Sequence, residues 1–210
     1  MSTLRTISGF KSALQGGGAR PNLFEVDIPN LPGNIPWDAT TFKFLCDATS
    51  MPASNIDPIN IPFRGRIMKV AGDRTIDIWS VTVINDEDFK LRTAFEQWAN
   101  LINKLENATG ATSPAAYMRD AYVTQLGRGA DKFSTTANDQ GGANGNVALT
   151  PLRTYKMYDI WPSNVSAIDL SYGTNNEIER FTVDFQVNWW TAGEGGQGGS
   201  RSDRSGVVIK

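Results

Sequence analysis

The sequence predicts a mainly β fold, an antiparallel β-sandwich or barrel with one packed α-helix. Two patterns carry that prediction. Phe181, Val183, Phe185, Val187 and Trp189 alternate strictly with Arg180, Thr182, Asp184, Gln186 and Asn188, the period-2 signature of a strand with one wet face. Leu91, Phe95, Trp98, Ile102 and Leu105 recur at spacings of 4, 3, 4 and 3, which draws a single apolar stripe along a helix. A lone amphipathic helix has no second helix to pair with, so it must lie across the face or end of a sheet.

Along the chain, alternation first appears at Phe24, Val26 and Ile28 against Leu23, Glu25 and Asp27, and again at Phe42, Phe44 and Cys46 against Lys43 and Asp47. Cys46 on that apolar face reads as a buried, inert thiol. Ser50 to Pro62 carries Pro52, Pro58 and Pro62 together with Met51, Ile56, Ile59 and Ile61, which have no evident core partner. It reads as a long projecting loop or ribbon. Between Thr75 and Ile84, Trp79, Val81 and Val83 fall on one side and Ile76, Ile78 and Ile84 on the other, as in a strand covered on both faces. The helical stripe opens with Asn85 as its cap and Asp86, Glu87 and Asp88 in the first turn, where the helix dipole favours negative charge. Ile168, Leu170 and Tyr172 add a further alternating stretch.

Trp189 and Trp190 are neighbours and face opposite sides of their strand, so one enters the core and the other needs a partner surface. Trp190, the Ser50 to Pro62 segment and the N-terminal Leu4, Ile7 and Phe10 amount to more apolar surface than a monomer tolerates. These residues are the candidates for contact between subunits. The organisation that follows is one domain over residues 1–192, with an N-terminal arm at 1–18 and a glycine-rich tail at 193–210.

Composition removes most chemistry. The 210 residues contain no histidine and one cysteine, which excludes imidazole-based nucleophiles, H-E-x-x-H zinc sites, internal disulfides and multi-cysteine metal sites. Twenty basic against 22 acidic residues leave a formal charge of −2, without the basic excess that grips a phosphate backbone. Gly193, Gly195 and Gly198 match a G-x-G-x-x-G spacing, but too little chain follows to form the helix a dinucleotide site requires. No apolar run approaches membrane-spanning length. The expectation is a protein that is not an enzyme, with no catalytic residues, cofactor, metal or membrane partner, made and kept in a cytoplasm. A sugar-binding sandwich using some of the six tryptophans is the rival from another class.

Four strings narrow this further: ARPNLFEVDI from Ala19, FKFLCDATSMPASNI from Phe42, IPFRGRIMKVAGDRTIDIWSVTVINDE from Ile61, and IWPSNVSAIDLSYGTNNEIERFTVDFQVNWW from Ile160. Their combination and order resemble the tail tube proteins of contractile-tailed, myovirus-type bacteriophages, in the family that includes type VI secretion inner tubes. The resemblance implies six subunits closing into a hexameric ring, each adding four strands to a shared 24-stranded barrel, with rings stacked into a tube that conducts the genome. It implies lumen strands near residues 41–49, 56–70, 120–128 and 147–159, with Lys43, Asp47, Gln125 and Lys156 as lumen-facing candidates. Met51 to Arg66 corresponds to the family's ring-stacking loop, through Met51, Ile56, Ile59, Ile61, Phe63 and Arg64. The implied partners are further copies of the chain, the tail sheath protein, baseplate tube-initiating proteins, a tape measure protein in the lumen during assembly, and genome DNA passing without specific binding. The implied location is the virion tail, assembled in the host cytoplasm. An inner tube of a type VI or phage-tail-like injection system carrying protein effectors is the alternative. Residues 128–146 and the tail from Gly193 exceed what the resemblance requires.

Overall fold

The computed structural model describes residues 6–14, 18–127 and 151–194. In chain order the elements are α1 (Ile7–Ala13), β1 (Phe24–Asp27), α2 (Ala39–Leu45), β2 (Cys46–Thr49), β3 (Ser54–Phe63), β4 (Arg66–Ile76), β5 (Trp79–Ile84), α3 (Lys90–Ile102), α4 (Pro114–Tyr117), β6 (Arg119–Leu126), β7 (Pro151–Val165), β8 (Arg180–Gln186) and β9 (Trp189–Glu194). Seven strands form one sheet in the order β1-β6-β7-β8-β5-β2, with β9 also paired to β7, while β3 and β4 form a separate two-stranded ribbon. The fold is mainly β with few helices. The described residues fall into two compact units, one drawing on residues 6–14, 18–25, 123–127, 151–154 and 192–194, the other made of Val26–Tyr122 and Tyr155–Thr191.

The larger unit holds the aromatic core. β5 and β8 pair antiparallel with Trp79 opposite Phe185, Val81 opposite Val183 and Val83 opposite Phe181, and all six side chains are buried. On the other face of this pair Thr82 and Thr182 share a hydrogen bond of 3.2 Å, and the Ser80 hydroxyl donates to Asp184 at 2.5 Å. That face is half buried, so the covering expected for both faces of β5 is complete on one only. α3 lays Leu91, Ala94, Phe95 and Trp98 on the apolar face, with Phe95 and Trp98 ring centroids 5.9 and 5.8 Å from Phe185. Trp98 Nε1 donates to the Tyr117 carbonyl at 2.7 Å, so the indole enters the core without an orphaned donor.

The ends of α3 differ from expectation. Asp86, Glu87 and Asp88 precede the helix, Phe89 takes the cap position in a left-handed conformation, and the Asn85 amide donates instead to Glu179 at 3.1 Å. The Phe89 amide bonds the Asp86 carbonyl, so a turn intervenes between Asn85 and the helix. Leu105 lies beyond the helix end and is fully exposed.

Two alternating stretches are not strands. Phe42 and Phe44 sit on α2, where a spacing of two residues points them to different sides: Phe42 is buried 5.9 Å from Phe95 and Phe44 is 82 % exposed. The cause is local, because Asp38 caps this helix, its carboxylate accepting from the backbone N–H groups of Thr40 and Thr41 and from the Thr41 hydroxyl at 2.6 Å. The strand expected over 41–49 therefore begins only at Cys46, which lies in β2 at half-burial rather than on a buried face with Phe42 and Phe44. Ile168, Leu170 and Tyr172 lie in irregular chain that turns at Ser171–Thr174, and Leu170 and Tyr172 face solvent.

Candidate assembly surfaces

Of the two forms expected for Ser50 to Pro62, loop or ribbon, the ribbon is found: after irregular chain at 50–53, β3 begins at Ser54 and is the first arm of a hairpin with β4. β3 and β4 are joined by Arg64 and Gly65, both with positive φ (45° and 80°), the geometry of a two-residue type I′ turn whose twist suits antiparallel strands. The register places Phe63 opposite Arg66, Ile61 opposite Met68 and Ile59 opposite Val70. One face of the ribbon thus carries Ile59, Ile61, Phe63, Met68 and Val70, every one exposed. Arg64 lies over the Phe63 ring at 5.3 Å, capping the tip. Further down, the register shifts between Ile56 and Pro58. Gly72 sits at this irregularity, and a Cβ on it would lie 2.5 Å from the Asp57 carbonyl oxygen, so the close backbone approach admits only glycine. The expected lumen segment 56–70 contains the turn, so it is two half-strands rather than one strand.

An isolated two-stranded ribbon is marginal in water, and this one presents five apolar side chains to solvent on one face, with Ile67 exposed on the other. Met51 and Ile56 at its base are exposed as well. Sequence reasoning found the β3 residues of this face but missed Met68 and Val70 on β4, and it missed Ile67 on the opposite face, which is exposed too. The Arg-Gly pair between two apolar runs was the signal that could have found them.

The four lumen candidates are all engaged within the chain. Lys43 pairs with Asp27 at 3.3 Å, and Asp47 accepts from Arg180 Nε at 2.9 Å. The Gln125 amide donates to the Arg20 and Leu23 carbonyls at 2.6 and 2.7 Å. Lys156 is the most enclosed: its ammonium is 3.0 Å from Asp120 and 4.2 and 5.6 Å from the ring centroids of Tyr158 and Tyr122. Burial pulls its pKa down, but the Asp120 carboxylate and the two phenols outweigh this and hold it above the usual lysine value. No sequence signal marks this cluster, because Asp120 and Lys156 meet only through the fold.

Neither terminal tryptophan enters the core. Trp189 is half exposed and stacks flat on Tyr158 at 3.6 Å, while Trp190 is half buried with its ring 5.6 Å from Tyr155. Both find aromatic neighbours on β7, which corrects the expectation that one would be buried. Ile7 and Phe10 on α1 are exposed. Leu4, residues 128–146 and most of the tail from Gly195 lie outside the described residues.

Residues 19–192 match the phage tail tube protein family. The chain belongs to that family. The tail tube protein of Enterobacteria phage T4 is 34 % identical over 175 residues, covering 83 % of this chain and 92 % of that one. The tail tube protein of Serratia phage KSP90 is 24 % identical over 186 residues, covering 87 % and 94 %. In three dimensions, a chain of the anti-feeding prophage baseplate superposes with a TM-score of 0.57 at 14 % identity, covering 84 % of this chain and 96 % of that one, which is a likeness of fold. Among the described residues no group of metal-ligating side chains gathers, and no helix is long and apolar enough to cross a membrane.

Proposed function

We propose that this tail tube protein is the repeating structural subunit of a contractile-tail conduit, with no catalytic role. Six copies close into a ring around a shared 24-stranded barrel, rings stack into a hollow tube inside the sheath, and the genome passes through the lumen. The observation that carries this reading is the β3–β4 ribbon, whose apolar face has no cover within the described residues of its own chain. Buried against the next ring, that face would contribute to the stability of the polymer rather than of the monomer. Met51, Ile56, Ile59, Ile61, Phe63 and Arg64 are assigned to this stacking contact, and Ile7, Phe10, Trp190 and Leu4 to further contacts between subunits.

The ion pairs favour a passive lumen. With Lys43 held by Asp27 and Lys156 by Asp120, two cations that could arrest a phosphate backbone are neutralised. The sheath protein, baseplate tube-initiating proteins and a lumenal tape measure protein are the remaining partners of this reading, in a virion tail assembled in the host cytoplasm. The 34 % identity to the tail tube protein of a phage supports genome rather than effector cargo.

Negative-stain electron microscopy with light scattering over a range of concentrations tests the proposal. Hollow tubes or six-fold rings are expected. A chain that stays monomeric at every concentration, and also when seeded with tail baseplates, overturns it.

A further inference from the structure

Two features of the chain are open to solvent and complement each other. α1 is seven residues long, well short of the length at which helix propensity alone holds a helix in water. It sets Ile7, Phe10 and Leu14 along one stripe, and the three are 77, 66 and 45 % exposed. Lys11 follows Phe10 in the last turn, and every charged side chain before Glu25 is a cation: Arg5, Lys11 and Arg20. The second feature is a cleft of about 500 Å³ where residues 36–38 meet the start of α3. Trp37, half buried, and Leu91 and Ala94, both buried, form its floor. That floor is fixed in place, because Trp37 Nε1 donates to the Ile28 carbonyl at 2.6 Å and its ring lies 5.0 and 5.4 Å from those of Phe42 and Phe95. The exposed lip carries Asp38, Asp86 and Asp88 against Lys90. Asp38 caps α2 and Lys90 pairs with Asp88, whereas Asp86 makes no ion pair among the described residues. The N-terminal ends of α2 and α3 bring about half a positive charge each, which three carboxylates against one ammonium outweigh.

We infer that this cleft receives α1 of a second copy of the chain, with Phe10 seated over Trp37, Leu91 and Ala94 and the Lys11 ammonium against Asp86 and Asp88. The inference rests on the self-assembly reading above and names the surface that meets the N-terminal arm. A cleft of this size takes a large side chain or two rather than a whole helix, and an aromatic ring on a short helix is the kind of anchor that fills such a pocket at an interface. The charges agree in sign: an arm that is purely basic meets a lip with a surplus of carboxylates, which fixes orientation and disfavours acidic competitors. Stripe and cleft are different patches of the same chain, so the contact runs head to tail from copy to copy. Contacts of that type close into rings or continue as filaments, which is the geometry a tube requires. Burial of the stripe would also hold α1 helical, a stability that its own length does not supply.

The test uses the full chain. Lys11→Glu and Asp86→Lys each set like charges against one another at the contact, and each should cut the yield of tubes in negative-stain images about tenfold or more at physiological salt. The double variant restores opposite charges and should return to within about threefold of the wild-type yield. Near-ultraviolet circular dichroism of the tryptophan core checks that each variant folds. A second measurement leaves both charges in place: with Cys46→Ser, Ala13→Cys and Thr93→Cys in one chain, a short bis-maleimide added to tubes should join separate copies, read as dimers and longer ladders on a denaturing gel. Single charge variants at wild-type yield, a double variant no better than its parents, or cysteine-bearing tubes that give no link overturn the assignment and leave the conduit standing. Links confined within one chain make the cleft the seat of its own α1 and overturn the second copy as occupant. A wild-type chain that forms no tubes overturns the conduit and this inference together.

Discussion

Two antiparallel strand pairs in this chain carry similar apolar cross-strand partners and differ in what covers them. In β5 and β8, Trp79 faces Phe185, Val81 faces Val183 and Val83 faces Phe181, and α3 seals them from water. In β3 and β4, Ile59 faces Val70 and Ile61 faces Met68, and the same kind of face is open. Burying an aliphatic or aromatic side chain is worth about 1.5–3 kcal/mol wherever it occurs. In the first pair that free energy stabilises the monomer. In the second it would be gained only by a partner that covers the face, which under the proposed function is the next ring. Apolar pairing therefore specifies that a face will be dry, and the surrounding elements decide whether the same chain or another one dries it.

The largest effect expected from this contrast is on the covered pair. Phe95→Ala and Trp98→Ala each remove a ring that packs on Phe185, and each should cost about 3–5 kcal/mol of monomer stability, read as a lower Tm by calorimetry. A loss below ~1 kcal/mol at either site would mean that α3 is not the principal cover. On the open pair the pattern should invert. Ile59→Asp with Ile61→Asp should leave monomer stability within about 0.5 kcal/mol and abolish tube growth in electron micrographs. Long tubes from that double variant would show that this face is not what assembly buries.

The same contrast explains what was legible beforehand. β8 and α3 announced themselves because their periods of 2 and 3.6 are regular and their apolar sides are buried within the chain, while β5 was legible through Trp79, Val81 and Val83 although Ile76, Ile78 and Ile84 lie on its other side. α2 did not, since Phe42, Phe44 and Cys46 fit a strand by spacing while the Asp38 cap, which decides the matter, acts on the first helical turn alone. Ile168, Leu170 and Tyr172 show the converse: alternation without partner strands stays irregular chain. The β4 half of the ribbon was hidden by a turn made from Arg64 and Gly65, where asparagine or aspartate with glycine is the commoner signal. Lys156 with Asp120 and Trp189 with Tyr158 depend on strands brought together by the fold, so no local pattern could contain them.

A smaller effect marks the rim of the covered region. Cys46 begins β2, the edge strand beside β5. Burial, and secondarily the adjacent Asp47 carboxylate, push its thiol up to about 12. At pH 8 the thiolate is scarce, so alkylation by iodoacetamide should run about a hundredfold or more slower than for an exposed cysteine. Asp47→Asn should recover only a minor part of that rate, because burial is the greater cause. Full reactivity of the wild-type thiol at pH 8 would place β2 outside the protected sheet.

The smallest effect concerns whether α2 belongs to the cover at all. Asp38 holds the start of this helix, and the helix in turn places Phe42 against Phe95. The hydrogen bonds from the Thr41 hydroxyl and backbone, and then from Thr40, keep the Asp38 carboxyl below its ordinary 3.8. A carboxylate whose folded-state pKa is depressed stabilises the fold above its unfolded pKa, and that contribution is lost as the pH falls through the folded value. The Tm gap between wild type and Asp38→Ala should therefore be constant from neutral pH down to about 5 and shrink below about 4, as the wild-type carboxyl protonates and its cap weakens. Asp38→Asn, which caps without a charge, should retain part of the stability and show less of this pH dependence. A gap that is unchanged between pH 6 and pH 2.5 would mean that the charge on Asp38 contributes nothing to α2, and that Phe42 is held in the core by its packing alone.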